Sequence, residues 1–264
     1  MTTARQIEEY IYGFAPARLK MDFDNVGHLI GSADAPVSKI LLALDVTPEV
    51  VDEAVSAGAQ CIVTHHPVIF KARKSVTDCD PYGAMIMKMI SSGVSAVCMH
   101  TNLDLAPLGV NQQLALRLGL GDIEVFTQKS EDSELGLTGL GRIGVLTEPM
   151  EPERFCAHVR DSLGCTAVRY VSGGRDVSRV AVGGGQCGDL LTDAVRAGCD
   201  AFVTSDLRYN DFLDAREYGI TLVDAGHFPT ENVVIPQLEK WLKERFTDVS
   251  VCVSAVHKEV VSYI

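Results

Sequence analysis

The segment VSKILLALDVTPEVVDEAVSAGAQCIVTHH, which begins at Val37, recurs without a gap as VSRVAVGGGQCGDLLTDAVRAGCDAFVTSD from Val177. Eight positions are identical, including Ala54/Ala194, Gly58/Gly198 and Thr64/Thr204. Any two α/β segments share a hydrophobic pattern, but an ungapped register with matched glycines marks a duplicated module. The module reads strand, helix, strand. KILLALDV is a buried apolar run, Thr47 and Pro48 cap and open a helix, Gly58 closes it, and CIVT is a second buried run. Strands alternating with helices predict parallel pairing and right-handed connections. The expected fold class is α/β, built from duplicated strand-helix-strand units with mostly parallel sheets.

The correspondence continues. GVSAVCMHTNLD (93–104) aligns with GITLVDAGHFPTE (219–231) if one residue is inserted. Each gives a strand, a histidine, and an acid four residues later: His100/Asp104 and His227/Glu231. DPYGAMIMKMISSG predicts a further helix, and Ile7, Tyr10, Ile11 and Phe14 share one face of an N-terminal helix. FTQKSEDSELGLTG, polar and glycine-bearing, is the expected linker between the halves. GRIGVLTEPMEPERFCAHVRDSLGCTAVRYV then reads strand, helix, strand.

Charge narrows the function classes. With 23 Lys+Arg against 35 Asp+Glu the formal charge is −12, which disfavours nucleic acid as a partner for a chain without an extended basic cluster. No apolar run approaches the length of a membrane span, and the N-terminus lacks the basic start of a signal peptide, so the expected location is cytoplasmic and no membrane partner is expected. Eight cysteines include no C-x-x-C pair, and Cys61, Cys98, Cys199 and Cys252 lie in apolar runs. They read as reduced, buried thiols.

The run CIVTHHPVIF ends in adjacent histidines, and Pro67 stops the strand there. The C-terminal mouths of parallel strands are where α/β sheets bind ligands. His65, His66, Asp104, His227 and Glu231 all fall at such mouths or just beyond. A lone histidine at a strand end is ordinarily a hydrogen-bonded structural group; three histidines with two acids at one sheet edge point to a metal. Imidazole with carboxylate suits Zn, Fe, Mn or Ni. Adjacent histidines in extended backbone point apart, so the expectation is two neighbouring ions, bridged by Glu231 or Asp104 and released as the histidines protonate below about 6.5. The chain after Pro229 is expected to enter a helix with Glu231 in its first turn. His100 is either a ligand or an orienting group; Asp24, Asn25, Asp45 and Asp206 are supporting candidates, and Asp24, Asp45 and His100 are candidate proton carriers. The glycines of VGGGQCG (182–188) lack both G-x-G-x-x-G with a following acid and G-K-[ST], so they read as a tight strand-to-helix turn.

Taken in order over nearly the whole chain, DFDNVGHLIG, VTHHPVIF, HTNLD, GLGRIG, AGCDAFVTSD and DAGHFPTEN resemble the dinuclear-metal-centre hexameric proteins, also known as GTP cyclohydrolase 1 type 2 homologues or Nif-three-like proteins. The resemblance implies two divalent ions per chain on His65, His66, Asp104, His227 and Glu231, with Glu231 bridging. It also implies a toroidal homohexamer and two linked α/β domains, expected at 1–125 plus 220–264 for the metal-binding domain and 126–219 for the second. His28 stands where the family has leucine, and Ser205 and Asn210 where it has glycine and histidine; none of these is a ligand. The expected function is a two-metal hydrolase of a small nucleotide-like or heterocyclic substrate, with its metals in the cleft between the halves. The alternative is a non-catalytic metal carrier or regulatory ring that binds metal or a protein partner.

Overall fold

The structure is a computed structural model and describes residues 1–264. The chain divides into two compact units: Met1–Leu103 with Ile235–Lys258, and Asp104–Val234 with Glu259–Ile264. In chain order, β1 (Gly27–Ile30), β2 (Lys39–Ala43), β3 (Cys61–Thr64) and β4 (Ser95–Cys98) lie in the first unit. β5 (Gly121–Asp132), β6 (Gly136–Met150), β7 (Arg169–Val171), β8 (Val177–Val182), β9 (Ala201–Thr204) and β10 (Thr221–Asp224) lie in the second. β11 (Ser250–Val253) returns to the first.

The first sheet runs β1-β4-β3-β2-β11, parallel except for the edge strand β1. The second runs β5-β6-β8-β9-β10-β7, with a parallel centre of β8, β9 and β10 and antiparallel flanks. The fold is thus mixed α/β, with helices between the parallel strands. The repeat holds in the pairing itself: Ile40 faces Cys61 and Leu42 faces Val63, while Val180 faces Ala201 and Val182 faces Val203. Each partner of the second pair set lies at the sequence offset of the repeat. The likeness reaches the edge strands, since β4 pairs antiparallel with β1 and β10 with β7.

Local chemistry explains the shared elements and one difference. Gly58 (φ 67) and Gly198 (φ 70) both take the left-handed conformation that closes the preceding helix. In the first copy the Thr47 hydroxyl accepts from Val50 N and Pro48 opens a ten-residue helix, Pro48–Ala57. Cys187 and Gly188 replace that cap in the second copy, and the segment shortens to a 3-10 turn, Gly188–Leu190, and a helix, Leu191–Arg196.

Each unit has its own core. Val50, Ile62, Met89 and Ala96 are fully buried in the first; Leu114, Phe155, Val180 and Val203 in the second. Burial of each Val, Leu, Ile, Met or Phe contributes about 1.5–3 kcal/mol. All eight cysteines are free, and burial pushes the Cys98 thiol up to about 11. No helix is long and apolar enough to cross a membrane.

Two expectations are corrected. The segment taken for a linker is the ribbon of β5 and β6, whose outer part is exposed on both faces and therefore lacks an alternating apolar pattern. The unit boundaries also differ from 125 and 220: β5 begins at Gly121, and β10 is hydrogen-bonded between β9 and β7 in the second sheet.

Candidate metal centre

In the first unit, β3 ends at Thr64, and His66 N donates to Leu44 O at 2.9 Å. Because the extended strand stops one residue before His65, the expectation that the two imidazoles point apart fails. Their ring centroids are 4.9 Å apart, and His100 lies 5.2 Å from His65 and 5.5 Å from His66. One ring nitrogen of each of the three lies within 4.8 Å of the others.

What fixes these rings is a common device. His65 Nδ1 is 2.9 Å from Met99 O, His66 Nδ1 is 2.6 Å from Asp45 Oδ1, and His100 Nδ1 is 2.7 Å from Asp24 Oδ1. A carbonyl or carboxylate oxygen only accepts, so the proton belongs on Nδ1 and the lone pair on Nε2. Asp24 also accepts from Thr101 N at 2.9 Å and Thr101 Oγ1 at 2.5 Å. Burial opposes its charge, but the His100 and Thr101 hydrogen bonds outweigh burial and hold its pKa well below the usual carboxylate range. Asp45 is held down likewise, burial being outweighed by His257 and His66. Asp24 and Asp45, sequence candidates for supporting a ligand or for proton transfer, each contact a histidine ring nitrogen here.

His257 escaped the sequence reading. Its Nε2 is 3.1 Å from Asp45 Oδ2, so a chain of contacts runs from His257 through Asp45 to His66. The tail after β11 is fastened for this: Ser254 Oγ donates to Glu53 Oε2 at 2.5 Å, and His257 N donates to Ser254 Oγ at 3.1 Å.

In the second unit the helix His227–Glu231 begins at His227 itself, behind Gly226 (φ 83), so Glu231 lies one turn on rather than in a first turn beyond Pro229. That i, i+4 spacing brings His227 Nε2 to 3.1 Å from Glu231 Oε2, while His227 Nδ1 is 2.5 Å from Asp206 Oδ2. Burial opposes charge on this imidazole, but Glu231 and then Asp206 outweigh it and raise the His227 pKa to about 9.

The glycine turn serves this pair. Gly185 (φ +66) packs so closely that a Cβ there would collide with Glu231 Oε1 and come within 3.3 Å of His227 Nε2. Gly185 N donates to Thr230 Oγ1 at 3.1 Å, Gly184 N to Asn111 Oδ1 at 2.9 Å, and Asn111 Nδ2 to the Asp104 carbonyl at 3.0 Å. Buried hydrogen bonds thereby tie the backbone of Asp104, the turn and the His227–Glu231 helix together. Arg142, also buried, donates to the carbonyls of Ala106 and Pro107 just beyond Asp104. The repeat shows how the halves diverged: Ser205, Asp206 and Gly185 stand where the first copy has His65, His66 and Asp45. Ser205 Oγ is buried without a hydrogen-bond partner.

Imidazoles locked to present Nε2, together with buried carboxylates, are a donor set suited to divalent Zn, Fe, Mn or Ni. The His65, His66 and His100 group can hold an ion.

Comparison with known proteins agrees with this fold. A Clostridium perfringens protein named GTP cyclohydrolase 1 type 2 homolog is 34% identical over 256 residues, covering 96% of this chain and 97% of the relative. A Streptomyces coelicolor protein of the same name is 38% identical over 221 residues, covering 82% of this chain and 77% of the relative. The crystal structure of a Bacillus cereus protein related to NIF3 superposes with a TM-score of 0.94 at 27% identity, over 100% of this chain and 99% of that one. The family model Duf34/NIF3 (NGG1p interacting factor 3) matches residues 2–260, and the chain belongs to that family.

Proposed function

We propose that this chain binds two divalent metal ions through His65, His66, Asp104, His227 and Glu231, with Glu231 bridging, and acts as a metal-dependent hydrolase on a small nucleotide-like or heterocyclic substrate. The observation that carries the reading is the shared orientation of the histidines, each with Nδ1 on an oxygen acceptor. A structural histidine needs no such uniformity; a set of ligands does. Imidazole and carboxylate ligands together suit a bridged pair of ions with open positions. When bound, divalent ions supply Lewis acidity toward a substrate oxygen and make water acidic enough to serve as a nucleophile near neutral pH. Asp24 fixes the His100 ring, so His100 can hold or move a proton at its Nε2. The relatives' name favours a purine nucleotide as substrate. The toroidal homohexamer and the cytoplasmic location belong to the same proposal.

The alternative reading is a non-catalytic metal carrier or regulatory ring that binds metal or a protein partner. Elemental analysis of protein purified in metal-replete medium, followed by turnover on nucleotide and heterocyclic amide panels, separates the readings. The hydrolase reading expects two ions per chain and turnover that vanishes in His65→Ala. Two ions without turnover would leave a carrier. One ion or fewer per chain would overturn the paired site.

A further inference from the structure

Beside the histidines of the first unit stand two aromatic side chains that the fold leaves in solvent. Phe23 is 65% exposed and Phe70 44%. Phe23 immediately precedes Asp24, the carboxylate that orients His100, and Phe70 ends the loop that His65 and His66 begin. The two rings are 6.3 Å apart at 78°, and the Phe70 ring meets His100 at 5.9 Å and 88°. Their loops are fastened to each other, since Asn25 Nδ2 donates to Ile69 O at 2.5 Å, and Val68 and Ile69 pack on the core.

Single exposed hydrophobic residues are ordinary. A fixed pair with one ring against a metal-site histidine is a different matter, because edge-to-face rings leave π-faces open for a third flat ring. The patch is two side chains wide and bordered by exposed Asp22 and Lys71, too small for a protein interface of about 800 Å² per side. Lys71, Arg73 and Lys74, the densest basic run in a chain of charge −12, follow directly.

We propose that Phe23 and Phe70 form a stacking platform for a planar heteroaromatic ring, holding it beside the His65, His66 and His100 cluster, with Lys71 and Lys74 attracting an anionic tail while Arg73 stays paired with Asp80. This deepens the hydrolase reading by naming the substrate's recognition element, and it rests on that reading for the chemistry done there.

The test is titration of the full-length protein with guanosine monophosphate, followed by saturation-transfer NMR, with ribose 5-phosphate as the control that lacks a base. Phe23→Leu and Phe70→Leu keep apolar bulk and remove the π-face, and metal content is measured on the same samples. Saturation of the purine protons is expected, with binding about tenfold weaker in each variant and weaker for ribose 5-phosphate. Metal content should not change. Nucleotide binding that is absent, or equal in wild type and both variants, or no tighter than that of ribose 5-phosphate, overturns the platform. A chain that takes up no metal, yet loses the nucleotide in Phe70→Leu, would defeat the hydrolase reading and leave the platform standing.

Discussion

His227 lies between two carboxylates, and this sets how the protein answers pH. Burial opposes its charge, but Glu231 and Asp206 outweigh burial and raise its pKa from 6.5 to about 9. A raised pKa means that the protonated form is favoured in the folded state, so its stabilisation is complete below 6.5 and is lost as pH climbs through about 9. Metal needs the neutral imidazole, so metal affinity should rise over the same window. For this residue the loss of metal on acidification therefore begins well above the ordinary histidine range. Thermal unfolding of chelator-treated protein should show stability falling from pH 6.5 to 9 while calorimetric metal titrations tighten; parallel trends in the two would defeat the assignment. His257 makes a second case at this scale. It touches Asp45, which in turn contacts His66, and removing such a partner typically weakens metal binding by about tenfold or more. His257→Ala should do so, and Asp45→Asn at least as strongly. Unchanged affinity in His257→Ala would show that the tail does not position His66.

Among the elements, the turn after β8 is the most sensitive. Gly185→Ala would place a methyl group against the Glu231 carboxylate, whereas Gly198→Ala, at a similar φ, meets nothing within 4 Å. Both substitutions cost about 1–2 kcal/mol of backbone strain, but only Gly185→Ala should also strip metal, as measured by elemental analysis of folded protein. Equal metal loss in the two variants would mean that the turn does not seat Glu231. The same elements show what could be read from the residues. The duplicated module was legible because its signals are local: Gly58 and Gly198 as helix ends, Thr47 and Pro48 as a helix start, and apolar runs that fix a register. The β5 and β6 ribbon was not, because its outer residues face water on both sides. The strand CIVT was legible to its last residue, Thr64, but the backbone beyond it was taken as extended, which hid the convergence of His65 and His66. His257 contacts Asp45 across 212 residues, with no local pattern to announce it. The five proposed ligands came from strand mouths and from the family resemblance; Asp24, Asp45 and Asp206 were supporting candidates there, and the coordinates add which histidine each one touches.

Across the whole molecule, the first unit is assembled from both ends of the chain, since Ile235–Lys258 joins Met1–Leu103. The proposed ligands divide between the units, with His65 and His66 in one and Asp104, His227 and Glu231 in the other. Ions held by that proposed set would stabilise the folded chain, because unfolding would release the metal. Binding to the folded state alone adds about 2.7 kcal/mol when free metal exceeds its dissociation constant a hundredfold. For domains of this size each kcal/mol shifts the midpoint by roughly 2–4 °C. Scanning calorimetry should therefore show a lower midpoint after chelation than in metal-loaded protein. His65→Ala should resemble the chelated wild type whether metal is present or absent. A chelated protein that melts where the loaded one does would mean that the folded chain does not hold ions through these side chains, and the five-ligand set would have to be given up.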